Sequence, residues 1–251
     1  MSFERSDYEQ LGRTLEAYCK KYHIMPGDFF EIINDQKVVP MLRGKAAEYN
    51  GTYELKRILQ PQSWIVNKLN LNAQPGRSDE DIEVIHRKTG TRLVVETKST
   101  SRGTMRTGKR SRVLNVPHFK VKCHRSRSNA DRPYNDQYLA SDFDIIITNP
   151  LNAIYEGNTI GEEFELVPEP GLLEALYAHY NVSDKESLIE AAALDWRFAL
   201  PNSIAEEKGG YKLIPRTPYV RLADDPNWLP LNQVQPYLDV IVRAKVQAHR
   251  S

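Results

Sequence analysis

The stretch that decides the fold is DIEVIHRKTGTRLVVETK, residues 81–98. It holds two runs rich in Val and Ile, and a turn that contains glycine joins them. Such runs favour strands and such a turn favours a hairpin, so the stretch predicts two antiparallel strands. The second run ends in VVETK, where an apolar strand carries Glu96 and Lys98 two positions apart. Burying unpaired charges is costly, so we expect the fold to supply a partner or a use for them.

A two-residue turn at 89–90 predicts a definite cross-strand pairing. It sets Asp81 opposite Lys98 and Glu83 opposite Glu96. Because side chains alternate along a strand, these four residues share one face, and a turn one residue longer would scatter them. The other, apolar face is expected to enter the core and consists of Ile82, Val84, Leu93 and Val95.

Three carboxylates and one lysine on the same face predict a metal site. Carboxylates this close repel one another unless protons or a divalent cation neutralise them. Oxygen ligands suit Mg²⁺, which takes one or two protein carboxylates and keeps several waters. A metal there would activate water against a phosphodiester, and Lys98 would position or deprotonate that water and contact the phosphate. The alternative is a surface hairpin whose charges pair across the strands, each pair contributing less than about 1 kcal/mol.

The whole chain has the length and composition of one globular domain. It has 251 residues, of which 40% are hydrophobic. No basic stretch precedes an apolar run at the start, and no run reaches the length of a membrane span, so we expect a cytoplasmic protein. Cys19 and Cys123 lack a CxxC partner and are expected to be reduced packing residues.

The formal net charge of +1 hides two regions of opposite sign. Residues 87–132 contain fourteen Lys and Arg against two acidic residues, interrupted by Ser, Thr, Gly and Asn. Residues 136–208 contain fifteen acidic residues against three Lys and Arg. The basic region suits nucleic-acid phosphates, and a solvated face or disordered loop is the alternative. The acidic region would shape dimerisation or repel DNA outside the cleft.

Periodicity predicts the remaining elements. A capping-box pattern at Ser6 and Glu9 begins a helix that runs to about Tyr22. Further helices are predicted over 44–59, over 171–180, after a cap at Ser183 and Glu186, and in the C-terminal tail. A strand with one basic face is predicted over 116–124, and a buried central strand over 143–149. We therefore expect one α/β domain, residues 1–251, with a mixed central sheet flanked by helices. Its catalytic core would span about 43–149 and a C-terminal helical region about 165–251.

Asp81, followed across a hairpin by Glu96-Thr97-Lys98, resembles the PD-(D/E)XK nuclease superfamily and is most similar to type II restriction endonucleases. The family's proline is replaced by Glu80, which leaves Asp79 as a lesser candidate acid.

Two flanking segments extend the resemblance over about residues 43–149. GKAAEY at 44–49 resembles the family's first core helix, in which a glutamate often completes the metal shell. Glu48 is the better match for it and Glu54 the second, and whether Glu48, Glu54 or Glu83 completes the site stays open. FDIII, from residue 143, resembles the core strand that follows the active-site hairpin.

The resemblance implies a restriction-endonuclease-like core with a four- or five-stranded mixed sheet. It implies Mg²⁺-dependent, sequence-specific hydrolysis of double-stranded DNA that leaves 5′-phosphates, a homodimer, and a cognate DNA methyltransferase in the same host. By the same pattern Asp81, Glu96 and Thr97 hold the metal, Lys98 assists the water, and Glu48 supports the metal or its water shell.

DNA contacts are expected from the basic region and its exit. Arg reads guanine and Asn or Gln reads adenine in the major groove, so Arg125, Arg127, Asn129 and Gln137 are candidate base readers. The full candidate set is Arg102, Arg106, Lys109, Arg110, Arg112, Lys120, Lys122, His124, Arg125, Arg127, Asn129 and Gln137.

Two other functions remain open from the sequence. One is a repair, recombination or modification-dependent nuclease of the same superfamily, and the other is a catalytically silent DNA-binding protein. A zinc site at His118, Cys123 and His124 is disfavoured because no second Cys/His pair accompanies it.

Overall fold

The structure, a computed structural model, describes residues 4–69, 80–101, 118–124, 136–154 and 172–248. The helices are α1 Arg5–Tyr22, α2 Pro26–Asn34, α3 Val38–Ile58, α4 Leu151–Ile154, α5 Leu172–Tyr180, α6 Lys185–Leu194, α7 Pro201–Ile204 and α8 Val234–Ala248, with a 3₁₀ turn at Leu231–Gln233. The strands are β1 Trp64–Lys68, β2 Ile82–His86, β3 Arg92–Ser101, β4 His118–Val121, β5 Ile145–Asn149, β6 Arg197–Ala199, β7 Glu206–Lys208, β8 Tyr211–Leu213, β9 Tyr219–Arg221 and β10 Leu229–Pro230.

The predicted hairpin is present as β2 and β3, but its turn is longer than expected. Ile85 pairs with Arg92, and the His86 N–H donates to the Thr91 carbonyl across a four-residue loop, 87–90. Gly90 ends this loop with a φ of 69°, a conformation that glycine adopts without steric cost. The prediction of a two-residue turn was therefore wrong.

The longer turn shifts the register of the hairpin by two residues and keeps its parity. Ile82 pairs with Val95, so Asp81 lies opposite Glu96 and not Lys98. Glu83 pairs with Val94 and not with Glu96, which corrects the second predicted pair. Because the side-chain period along a strand is two, the predicted faces survive this shift.

The described strands form a mixed eight-stranded sheet and a separate β7–β8 pair. The sheet runs β1-β2-β3-β5-β6-β10, and β4 and β9 branch from the end of β3. β3 and β5 are parallel, whereas the other pairings are antiparallel. The predicted α/β architecture with a mixed sheet flanked by helices is confirmed, although the sheet has more strands than the four or five that the resemblance implies.

One face of the sheet is covered by α3 and α8 and contains the apolar face of the hairpin, which is buried as predicted. α3 approaches this face closely at Gly51, where a Cβ would lie 2.8 Å from Ile147 Cδ1 and 3.2 Å from the Trp196 ring. Glycine weakens a helix interior, but here it allows the helix to reach the sheet.

The other face holds a second apolar cluster under α4, α5 and α6. The predicted alternation of 118–124 is confirmed at its apolar positions, because Phe119, Val121 and Cys123 are buried. Both cysteines are free and buried, as expected of packing residues. Lys122 and His124 on the opposite side of this segment are exposed.

Several boundaries differ from the predictions. The capping box of α1 joins Glu4 and Asp7 and not Ser6 and Glu9, because the helix begins two residues earlier than a cap at Ser6 would set it. α3 begins at Val38, well before residue 44, and the cap of α6 is Asp184 and not Ser183. α2 and β1 were not predicted. The C-terminal region is not purely helical, since β6, β9 and β10 join the main sheet. Among the described residues, no helix is long and apolar enough to cross a membrane.

Candidate active site

Glu96 and Lys98 form a buried ion pair on the second face of the sheet. Lys98 Nζ lies 2.5 Å from Glu96 Oε1. Nζ also donates to the Tyr138 hydroxyl at 2.9 Å, and that hydroxyl donates to Glu96 Oε1 at 3.3 Å. The three groups close a hydrogen-bonded triangle, so the charges of the VVETK strand have partners in the interior.

Asp81 joins this triangle from the start of β2. It lies opposite Glu96 in the hairpin register, and its Oδ2 accepts the Thr97 N–H at 2.9 Å. Burial raises the pKa of Asp81 to about 8, with further increases from Glu96 and then Glu48, against the opposing effects of Lys98 and the Thr97 N–H. Near neutral pH this carboxyl therefore holds a proton that a nearby cation would displace.

α3 brings Glu48 toward the same place, and Lys68 at the end of β1 holds it there. Lys68 Nζ lies 2.8 Å from Glu48 Oε2 and donates to the Asp81 carbonyl at 3.2 Å. The exposed Lys45 also pairs with Glu48, at 2.9 Å. Glu48 raises the pKa of both Asp81 and Glu96, which places its charge within electrostatic reach of each.

The charges of this group do not balance. The candidate site, as we define it, consists of Glu48, Lys68, Asp81, Glu96, Lys98 and Tyr138. Its side chains set three carboxylates against two largely buried ammonium groups, and the charge of Lys45, the further partner of Glu48, is exposed and screened by solvent. Burial also raises the pKa of Glu96, although Lys98 and Tyr138 oppose this. The surplus is negative, and a proton or a metal cation would neutralise it.

Lys98 is held as a cation. Its burial favours the neutral amine, but Glu96, with Tyr138 and Asp81, raises the pKa of Lys98 overall. The same surroundings raise the pKa of Tyr138 to about 12, first through burial and then through Glu96. Both groups are therefore hydrogen-bond donors at neutral pH, and Lys98 is better suited to stabilising an anion than to deprotonating water.

The donor set fits a Mg²⁺ ion held by two carboxylates. Within the described hydrogen bonds, Glu96 uses Oε1 and Asp81 uses Oδ2, which leaves Glu96 Oε2 and Asp81 Oδ1 for a cation. Across the described ranges, no three Asp, Glu, His or Cys side chains form a group able to enclose a metal by themselves. Mg²⁺ tolerates this arrangement because it commonly completes its shell with water.

The remaining candidate acids and Thr97 lie outside this group. Glu83 is held by Asn67 at 3.0 Å and by Arg92, which also pairs with Glu80. Glu54 pairs with its neighbour Arg57 on α3. Asp79 lies outside the described residues.

Thr97 contacts the candidate site through its main chain. Its hydroxyl is buried on the α3 face beside Gly51, with no hydrogen-bond partner in the described structure. Because side chains alternate along β3, this hydroxyl points away from Glu96 and Lys98. The Thr97 side chain is therefore not a metal ligand of this site, and the prediction that Thr97 holds the metal is wrong for its hydroxyl. The contribution of Thr97 to the site is its N–H, which orients Asp81.

Few of the predicted DNA contacts fall in the described part of the chain. Lys120 is half-buried, with Nζ 5.3 Å from the centre of the Tyr219 ring, and the exposed Lys122 and His124 follow on the same segment. Gln137 pairs with His124 in an isolated bridge, and its amide donates to the Ile214 carbonyl. The residues outside the described ranges are Arg102, Arg106, Lys109, Arg110, Arg112, Arg125, Arg127 and Asn129.

Sequence reasoning missed two members of the site, Lys68 and Tyr138. The signal for Lys68 was present, because WIVNK at 64–68 is an apolar run that ends in lysine, as VVETK does. Tyr138 carried no such signal, since it lies between elements and reaches the site only through the tertiary fold.

Comparisons of this chain with family models, with curated proteins and with solved structures gave no match.

Proposed function

We propose that the protein is a Mg²⁺-dependent endonuclease of the PD-(D/E)XK type, with a restriction-endonuclease-like core. The observation that carries this proposal is the convergence of Asp81, Glu96 and Lys98 across one hairpin, with Glu48 near enough to raise the pKa of Asp81. A structural ion pair needs one acid and one base, whereas this group has a surplus of carboxylate. Surplus carboxylates next to a lysine suit an enzyme that handles a cation and a phosphate together.

Each side chain has a role that follows from its contacts. Asp81 and Glu96 would hold the metal through their remaining oxygens, and Glu48 would accept hydrogen bonds from its water shell. When bound, Mg²⁺ lowers the pKa of a coordinated water and neutralises charge on the phosphate. Lys98, kept protonated by Glu96, donates to the phosphate oxygen on which charge develops. Tyr138 and Lys68 are positioning residues, since Tyr138 orients Lys98 and Lys68 holds Glu48.

The substrate we propose is double-stranded DNA, cut in a sequence-specific manner to leave 5′-phosphates, as by a type II restriction endonuclease. The fourteen Lys and Arg of residues 87–132 support a polyanionic substrate. The enzyme would act in the cytoplasm as a homodimer, in a host whose cognate methyltransferase protects its own DNA.

Digestion of a sequenced, unmethylated phage genome tests the proposal. Purified protein with Mg²⁺ should give discrete fragments whose mapped ends share one sequence and carry 5′-phosphates. Lys98→Ala and Asp81→Ala should abolish cleavage, while gel-shift binding measured with Ca²⁺ in place of Mg²⁺ is retained. Glu83→Gln is the matched control, because this carboxylate lies on the same hairpin and is paired elsewhere.

The outcome separates the proposed enzyme from the two alternatives. Cleavage confined to junctions, flaps or modified DNA would replace restriction with repair, recombination or modification-dependent cleavage. Binding without nicking in the wild type, under every divalent cation tried, would leave a DNA-binding protein and end the nuclease proposal.

A further inference from the structure

α1 carries an exposed apolar stripe with the spacing of a coiled-coil seam. Tyr8, Leu11, Leu15, Tyr18 and Tyr22 follow one another at intervals of three, four, three and four residues. This is the a/d pattern of a heptad repeat, which suits pairing with another helix. Leu15 is partly buried, and the other four side chains are at least half exposed.

α2 packs beside the end of this stripe and leaves most of it exposed. Cys19 is the buried residue of α1, and the Tyr18 ring meets the Phe29 ring with 6.2 Å between centroids. Tyr18 and Tyr22 nevertheless remain half exposed, and so does Leu11 one turn closer to the N-terminus of the helix. An exposed apolar stripe bordered by charged residues is typical of a protein interface.

The charges of α1 make this surface complementary to itself. The half up to Arg13, including its cap, carries three acidic residues against two arginines, and the half after it carries two lysines against one glutamate. These charges are Glu4, Asp7 and Glu9 against Arg5 and Arg13 in the first half, and Lys20 and Lys21 against Glu16 in the second half.

We propose that two copies of this chain associate through α1, with the two helices antiparallel about a two-fold axis near Leu15. This register brings Tyr8 near Tyr22 of the second copy, and Asp7 near Lys21 of the second copy, because both charged residues flank the seam at the same heptad position. A parallel pair would set the net acidic halves together and the net basic halves together, which costs association energy, whereas the antiparallel pair sets each net acidic half against a net basic half. The inference depends on α1 alone and holds whether or not the protein cleaves DNA.

Charge reversal on the full-length protein tests this interface by sedimentation velocity. At about 20 µM the wild type is expected to be a dimer. Lys20→Glu/Lys21→Glu gives both halves of α1 a net negative charge, and Asp7→Lys/Glu9→Lys gives both halves a net positive charge. Each variant alone should dimerise at least about tenfold more weakly, because like charges now face each other. An equimolar mixture of the two should recover the dimer.

The matched control is Lys212→Glu/Arg243→Glu, which changes the net charge as much at two exposed positions away from α1. It should remain dimeric, and circular dichroism should show that all variants are folded. A wild type that stays monomeric at this concentration, or a dimer unchanged in both α1 variants, would overturn the proposal.

Discussion

Two buried charged clusters lie on the strands that flank β5, and they differ in how completely their charges are paired. The candidate site is on β3 and its neighbours. On the other side, Arg197 of β6 meets Asp195, which follows α6, and Tyr180 at the end of α5, and we call these three residues the arginine cluster. Each cluster combines an acid, a base two residues later and a tyrosine.

The arginine cluster is closed. Arg197 makes two hydrogen bonds to Asp195, from Nε at 2.9 Å and from Nη2 at 2.8 Å. Nη1 donates to the Arg221 carbonyl, and Nη2 also donates to the Leu222 carbonyl. The Tyr180 hydroxyl donates to Asp195 at 2.7 Å. One carboxylate therefore meets one guanidinium, so the two charges cancel, and four of the five guanidinium N–H groups have an acceptor within the fold.

In the candidate site the charges are not all paired, because Glu48 and Glu96 have lysine partners whereas Asp81 forms no ion pair among the described residues. The comparison teaches that a buried ion pair indicates function only when the charges around it fail to cancel.

The largest difference between the clusters should appear in catalysis. Lys98→Ala is expected to lower the rate of Mg²⁺-dependent DNA cleavage by about 1,000-fold or more, because it removes the cation aimed at the phosphate. Tyr180→Phe, in the arginine cluster, should leave the rate within about twofold. Initial rates of supercoiled plasmid nicking measure both, and equal losses in the two variants would remove the functional distinction.

Stability should show the opposite ranking. Arg197→Met leaves the Asp195 carboxylate without its cation and two carbonyls without their donor, so the free energy of unfolding should fall by about 3–5 kcal/mol. Lys98→Met should cost less, of the order of 1–2 kcal/mol, because Glu96 can take up a proton and keep Tyr138 as a partner. Urea denaturation compares the two, and a larger loss for Lys98→Met would contradict the assignment of roles.

Asp81 should reduce stability as pH rises. Its pKa lies near 8 in the folded protein against an ordinary value of 3.8, so folding favours the protonated form. The carboxyl therefore costs nothing below about pH 4 and progressively more up to about pH 8. Asp81→Asn, which can still accept from Thr97, should be more stable than the wild type by an amount of the order of 2 kcal/mol at pH 8. Melting curves at pH 4, 6 and 8 test this, and a difference independent of pH would refute the shift.

The smallest effect separates two glutamates of α3 that are equally buried and that both form ion pairs, Glu48 with two lysines and Glu54 with Arg57. Glu48 and Glu54 each have 12% of the side chain exposed, but only Glu48 acts electrostatically on Asp81. Glu48→Gln should lower the cleavage rate at saturating Mg²⁺ about 10-fold, and Glu54→Gln should not. If Glu54→Gln lowers the cleavage rate more than Glu48→Gln does, Glu54 and not Glu48 completes the site.

The hairpin and its faces could be predicted from the sequence because alternation and β-branching act locally. Its register could not, since a two-residue and a four-residue turn give the same alternation and only the packed structure distinguishes them. The core of the site, Asp81, Glu96 and Lys98, followed from spacing along two strands. Tyr138 did not, because it reaches Lys98 through a contact between residues 40 positions apart.

Calorimetric titration with Mg²⁺ in buffers of different ionisation enthalpy tests the central claim most directly, that the candidate site carries surplus carboxylate for a cation. We predict that Mg²⁺ binding to the wild type releases about one proton at pH 7 and becomes tighter toward pH 8. Asp81→Asn should bind at least about tenfold more weakly or not at all, whereas Tyr180→Phe should bind as the wild type does. Absence of binding in the wild type, or the same affinity and proton release in Asp81→Asn, would contradict the account.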